Sequence, residues 1–409
     1  MKLKKRKKQI GVGGTLLTPL HKRLVVQVLD SGRLTYGPFL KRFEAEFARR
    51  HDRRFAVSTN SGTSALMTAL RALKEQEGWK NGDEVIVPAL TFIATSNAVL
   101  HNGLRPVFAD VDPRTFHLNP AEIEKHITKR TRAIMPVHLW GVSAEMAPIM
   151  KIAKRHGLRV VEDSCQTLGV NHRGKPVGSE GDIACFSTYV SHIVTTGEGG
   201  MLLTNDPKIA VRSRSLISHG RDSIYLAADD DRGLSGERLR EVMGRRFQFV
   251  TAGFNFRANE IGGALGMAEF SRLSENLATR QRNAGHLLKG LAQFADHLQL
   301  PWWPPHSEHS FMMFPLAVKS RKFTRDELTH HLESWNVETR PLYPLLTQPV
   351  YRKLFGNIAG KYPVATFAQK NGFFIGCHPE LGKAETDYVV SVFREFFRRK
   401  GLLPARGAA

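Results

Sequence analysis

The chain is poor in cysteine, has fewer acidic than basic residues, and carries no long hydrophobic run. Only three cysteines occur, Cys165, Cys185 and Cys377, in no spacing that suggests paired disulfides or a zinc site. Buried free thiols are the ordinary reading of such residues, and a reducing compartment fits them. No apolar stretch is long enough to span a bilayer. The N-terminal MKLKKRKKQIGVGG lacks the apolar segment that follows the charges of a signal peptide. Internal repeats and low-complexity tracts are absent beyond that basic end. A cytoplasmic protein with no membrane span and no metal centre is expected.

Asp and Glu number 38 against 59 Lys and Arg, a net charge of +21. Clustered cations gain affinity for nucleic acid by releasing phosphate counterions. Here most cations are interspersed with Asp and Glu, and no zinc-finger, homeodomain or RNA-recognition signature appears. The exception is Lys2, Lys4, Lys5, Arg6, Lys7 and Lys8, read as a solvated, flexible tail over residues 1–14. On that reading nucleic acid is not a partner, and removing residues 1–10 leaves an enzyme unaffected. The positive field suits an anionic small substrate instead.

At 409 residues and 42% hydrophobic content the chain can bury two cores. From residue 55 onward, short apolar runs (55–57, 85–87, 106–108, 133–137, 160–161, 183–186, 201–203) alternate with helical periodicity (63–73, 91–100, 145–156). Two further helices, 20–29 and 39–49, precede them. This rhythm predicts an α/β architecture built on a largely parallel, doubly wound sheet. After about residue 205 the rhythm stops, and 258–294 reads as a long helical stretch. A strand (311–318), a helix (324–335), a strand (373–377) and a helix (383–399) then predict a smaller α+β domain. The expected division is 15–290 for the large domain and 291–409 for the small one.

Several positions carry candidate chemistry. Ser61, Gly62 and Thr63 stand at a strand-to-helix turn, where free N–H groups make an anion site or simply a capped helix. Asp163 ends the strand 159–162, at the edge where open α/β sheets place ligands. A carboxylate there can hold a pyridinium nitrogen protonated or merely form a turn. Gln166 lies three residues on. Phe92 can stack on a flat ring or pack in the core. Ser187 begins a hydroxyl-rich loop leading through His192 to the glycine turn of Gly197-Glu198-Gly199-Gly200, and is placed to bind phosphate.

Taken together in order, these segments resemble the sugar-nucleotide aminotransferases over nearly the whole chain. Thr35-Tyr36-Gly37-Pro38, Ser61-Gly62-Thr63-Ser64-Ala65-Leu66, Gly82-Asp83-Glu84-Val85-Ile86-Val87-Pro88 and Glu162-Asp163-Ser164-Cys165-Gln166 match. So do Gly178-Ser179-Glu180-Gly181-Asp182, the glycine turn, and Gly253-Phe254-Asn255-Phe256-Arg257. The resemblance implies the fold type I of pyridoxal-phosphate transferases, with a mostly parallel seven-stranded sheet and a smaller C-terminal α+β domain. It implies pyridoxal phosphate or pyridoxamine phosphate as cofactor, a sugar-nucleotide substrate and a homodimer with shared sites. Gly62, Thr63 and Ser187 would hold the phosphate, and Phe92 would stack on the ring. Asp163 would pair with the pyridine nitrogen and Gln166 with the ring hydroxyl. Asn255 would reach the partner's phosphate, while Arg257 and Arg340 would approach the substrate.

One position departs from the pattern. Where the aminotransferases carry the lysine that bonds to the cofactor, this chain has His192. An imidazole cannot form that bond, but it can move a proton at neutral pH. No neighbouring lysine substitutes, Lys175 lying in a turn upstream. A smaller branch with the same exchange resembles the 3-dehydratases that make 3-deoxy sugars. That branch implies glutamate as amino donor, a 4-keto sugar nucleotide as substrate, and His192 as the base, with His219 assisting. A subgroup of such dehydratases needs an iron–sulfur cluster, and three cysteines cannot supply four thiolates. Two other readings stand beside dehydration: amine transfer, and a non-catalytic binding protein. The charge-rich stretch 226–250 is expected to govern which sugar is taken.

Overall fold

The computed structural model describes residues 3–224, 226 and 231–403. Its large sheet has seven strands: β1 (Phe55–Thr59), β2 (Glu84–Pro88), β3 (Arg105–Ala109), β4 (Thr131–Ile134), β5 (Arg159–Asp163), β8 (Ile183–Ser187) and β9 (Gly200–Thr204). The hairpin β6 (Asn171–His172) and β7 (Lys175–Pro176) stands apart from it. Across the sheet the order is β1-β9-β8-β5-β4-β2-β3. Only β9 runs against the rest, pairing antiparallel with both β1 and β8. Six strands therefore end at one edge, and the loops leaving β1, β2, β5 and β8 there carry the candidate chemistry. That edge is where open α/β sheets bind ligands.

Helices cover both faces, as a parallel sheet of near-continuous apolar strands requires. They are α1 (Pro19–Asp30), α2 (Pro38–Arg50), α3 (Gly62–Gln76), α4 (Ile93–His101), α5 (Pro120–Ile123), α6 (Met146–His156) and α7 (Pro207–Ile217). Next come α8 (Gly236–Arg245), α9 (Glu260–Phe270) and α10 (Leu273–Leu291). The stretch expected as one helix is thus broken at residues 271–272. There Ser271 Oγ donates to the Ala268 carbonyl at 2.6 Å, taking an acceptor that the helix ladder would otherwise use.

A second core lies around a four-stranded antiparallel sheet, β10 (Leu298–Gln299), β11 (Phe314–Val318), β13 (Gly372–Ile375) and β12 (Arg340–Pro341). Helices α10, α11 (Arg325–Ser334) and α14 (Lys383–Arg399) pack on it through Leu287, Leu328, Phe393 and Phe397. Two more helices, α12 (Pro349–Phe355) and α13 (Pro363–Asn371), join the larger core through Tyr351 and Ala365.

The basic N-terminal segment behaves differently from a solvated tail. Ile10 is buried in the second core. Its N–H donates to the Asn336 carbonyl at 2.8 Å, and its carbonyl accepts from Glu338 N at 2.9 Å. Arg6 pairs with Glu385 at 2.6 Å. Charge pattern alone hid this, because one isoleucine among lysines gives no periodicity. We expect deletion of residues 1–12 to lower stability by about 1.5–3 kcal/mol, the value of burying one isoleucine, read as a shift in the urea midpoint. Residues 1 and 2 lie outside the described residues. Among the described residues no helix is long and apolar enough to cross a membrane.

Candidate active site

A cavity of about 720 Å³ opens at the carboxyl edge of the sheet. Gly62, Thr63, Phe92, Asp163, Gln166, Ser187, His192 and Arg340 all line it. Residues more than 270 positions apart in sequence meet here because the strands deliver them to one edge and the small sheet closes over it.

The floor is set by α3. Ser61 caps it, accepting from Ser64 N at 3.1 Å. The next N–H groups, of Gly62 and Thr63, begin the helix and have no carbonyl one turn back. With the hydroxyls of Thr63 and Ser187 beside them they form a cradle for a dianionic phosphate. Gly62 is required by closeness: a Cβ there would lie 2.7 Å from Ser187 Cβ and 2.9 Å from Cys165 Sγ. We expect Gly62→Ala to cost about 1–3 kcal/mol by overpacking and to abolish cofactor retention on gel filtration.

Asp163 stands at the back of the cavity, almost wholly buried. Its Oδ2 accepts from Thr95 Oγ1 at 2.8 Å and its Oδ1 from Cys165 N at 3.2 Å. Burial pushes its pKa up, and among the described residues no cation pairs with it. A buried carboxylate in that condition calls for a cationic N–H from a ligand. Its neighbour Glu162 instead faces Arg53 and His138, the latter at 2.9 Å. Cys165 is no rival nucleophile, since burial and Asp163 hold its thiol well above the usual range.

Gln166 accepts from Trp140 N at 3.1 Å and donates to Tyr343 Oη at 2.6 Å. Tyr343 in turn stacks on Trp140, with ring centroids 5.2 Å apart, and meets Phe92 edge-on at 5.8 Å. Phe92 is 53% exposed, so its ring is free to cover a flat ligand rather than committed to the core. Asp163 and Phe92 line the same cavity, a carboxylate and an aromatic face that suit a planar heteroaromatic ring.

His192 lies on the wall beside Ser191 and Tyr189. Burial, aided by the charge of the fully buried Arg280, lowers its pKa to about 4. The ring is therefore neutral at neutral pH. Its Nδ1 is buried and has no hydrogen-bond partner among the described residues. Among the described residues no lysine lines the cavity.

Three expected site residues lie elsewhere. Asn255 is exposed and accepts from Arg257 Nε at 3.0 Å. Arg257 lines two other clefts, near Tyr36 and near Glu198. His219, also exposed, has φ +66° and faces Phe249. Sequence reasoning missed Thr95, Tyr343, Met312 and Met313. Tyr343, three residues after Arg340, lies in none of the matched segments, and the two methionines give no signal. Val12, on the segment read as a tail, also lines the cavity.

The residues present thus fit pyridoxal phosphate: an anion cradle, a buried carboxylate without a cation among the described residues, an exposed aromatic and a neutral imidazole on the wall. Comparison with known proteins agrees. The profile of the DegT/DnrJ/EryC1/StrS aminotransferase family matches residues 17–394. A GDP-perosamine synthase from Caulobacter vibrioides is 36% identical over 386 residues, 94% of this chain and 97% of that protein. An E. coli GDP-4-keto-6-deoxy-D-mannose-3-dehydratase with bound hydrated PLP superposes with a TM-score of 0.85 at 27% identity, covering 95% of this chain and all of the other. A second structure of such a dehydratase, with one histidine changed to asparagine and GDP-perosamine bound, has a TM-score of 0.84 at 27% identity, covering 94% and 99%.

Proposed function

Because this chain belongs to the DegT/DnrJ/EryC1/StrS aminotransferase family, we propose that it removes the C3 hydroxyl of a 4-keto-6-deoxy sugar nucleotide. It is a pyridoxal-phosphate enzyme of sugar-nucleotide chemistry, so the non-catalytic reading falls away. The observation that carries dehydration is His192: an imidazole and, among the described residues, no lysine at the cavity wall.

In this reading Gly62, Thr63 and Ser187 hold the cofactor phosphate, Phe92 covers the ring, Gln166 orients its hydroxyl and Asp163 faces its nitrogen. Bound there, the cofactor supplies an electron sink for charge developing next to its amine. Asp163, ionised against the ring N–H, keeps that sink electron-poor. His192 is the proton carrier: its neutral ring acts as base, and the resulting imidazolium then protonates the departing C3 oxygen. Glutamate is the amino donor, and Arg340 meets the substrate from the small sheet. Asn255 of the partner subunit reaches the phosphate in a homodimer, which accounts for its exposure here.

The identity with GDP-perosamine synthase favours a second reading, amine transfer at C4. Product mass separates the two. The purified chain is incubated with pyridoxal phosphate, glutamate and GDP-4-keto-6-deoxymannose, and with other 4-keto sugar nucleotides in parallel. Loss of the C3 oxygen with the ketone retained supports dehydration. Gain of an amino group would sink it in favour of transamination.

A further inference from the structure

Away from the cavity, three side chains from distant parts of the chain converge. Glu145 stands at the residue just before α6, His172 sits in the β6–β7 hairpin, and His306 lies in the segment that leads to β11. Arg173 and Gly174, with φ of +51° and +78°, close the hairpin with a tight turn. Residues 306–308 then add alongside it: Arg173 N donates to the His306 carbonyl at 2.8 Å and Glu308 N to the Asn171 carbonyl at 2.9 Å. This pairing carries His306 to His172, with ring centroids 5.0 Å apart.

Each of the three residues offers one ligand atom, and these all lie within 4.8 Å of one another. Glu145 Oε1 is 3.1 Å from His306 Nε2, and its Oε2 is 3.8 Å from His172 Nε2. Two ligands on a tetrahedral zinc, each about 2.0–2.1 Å from it, stand roughly 3.4 Å apart. The observed separations bracket that value. An independent observation comes from His172 itself. Its side chain is only 2% exposed, and its Nε2 is buried without a hydrogen-bond partner among the described residues. That nitrogen points toward Glu145. Its other nitrogen, Nδ1, is held by Ser307 Oγ at 2.6 Å, the outer-shell arrangement that fixes a ligating imidazole.

We propose that Glu145, His172 and His306 bind a zinc-class divalent cation, with water completing the shell. Two imidazoles and one carboxylate suit a borderline ion rather than calcium or magnesium, which prefer oxygen. Arg173 Nη2, 3.4 Å from Glu145 Oε2, is the competing cation; half exposed, it swings to solvent when the metal enters. The ion clasps residues 306–308 to the hairpin. The same segment continues to Met312 and Met313 on the cavity wall, so the clasp stiffens that wall without touching the chemistry. Spacing gives no hint of this site, since its ligands come from three separate elements.

The test uses the untagged, full-length, cofactor-loaded chain, stripped with chelator and dialysed against zinc chloride. One zinc per chain is expected by elemental analysis, together with a rise in the melting temperature. His306→Ala, at a half-buried position, should weaken zinc binding by more than ~100-fold, and Ser307→Ala by ~10-fold. His172→Ala should match His306→Ala; if it does not fold, the His306 variant decides alone. Cobalt should give the visible bands of a four-coordinate site, lost in the His306 variant. No retained zinc in the wild type, or equal retention in the His306 variant, would overturn the site and leave an ordinary ion pair.

Discussion

His192→Asn should leave a chain that still retains pyridoxal phosphate but turns over its sugar nucleotide roughly 10²–10⁴-fold more slowly, the range that a positioned acid–base group contributes. Asparagine matches the imidazole in hydrogen bonding but cannot carry a proton. The cradle of Gly62, Thr63 and Ser187 and the carboxylate of Asp163 are untouched, so binding should change by only a few-fold. The readout is the kcat for loss of the C3 oxygen set against cofactor affinity measured by absorbance. An equal fall in both would make His192 a packing residue. The companion variant, His192→Lys, places a primary amine on the wall of a cavity that has none. Borohydride treatment should then fix the cofactor covalently to the chain, seen as added mass, whereas the wild type should show no such adduct. A fixed adduct in the wild type would mean that a lysine reaches the site after all.

The second large effect concerns Asp163. Asp163→Asn should lower turnover by about 10²–10³-fold, the cost of losing one preorganised electrostatic partner. Its effect on stability should run the other way in the cofactor-free chain. Burial raises the Asp163 pKa, so between the unfolded and folded values the native state holds more protons than the unfolded one. Stability from this group is therefore present at low pH and declines as pH rises through that window. As pH rises through that window the buried acid becomes a burden that the amide relieves. The cofactor-free variant should melt at the same temperature as the wild type or above it. Its stabilisation by added cofactor should shrink. Melting curves with and without pyridoxal phosphate check both signs, and a cofactor-free variant that melts well below the wild type would contradict the first of them.

Much of the fold could be read from local pattern. Apolar runs such as Val85-Ile86-Val87 and Ile183 to Phe186 announce buried strands because both faces of a parallel sheet are covered. Their alternation with 3.6-residue periodicity dictates crossover helices. The strand-end positions of Asp163 and Ser187, and the turn at Ser61-Gly62, were legible for the same reason: a strand must stop at the sheet edge, and the residues just beyond its end face the ligand. The break between α9 and α10 was not legible, because it turns on one side-chain hydrogen bond rather than on composition.

Tertiary structure alone settled the rest. Lys and Arg around Ile10 pointed to a solvated tail, yet two backbone hydrogen bonds to residues 336 and 338 anchor it, and Val12 reaches the cavity. Such bonds form between segments more than 300 positions apart, and no window of sequence contains both partners. The same holds for Thr95 against Asp163, for Tyr343 against Gln166, and for Glu145, His172 and His306. Whether His192 is a neutral base is likewise a matter of surroundings, since burial and Arg280 set its pKa. Residue type and order decide which groups the chain owns; only packing decides which of them are desolvated together, and desolvation is what turns them into a site.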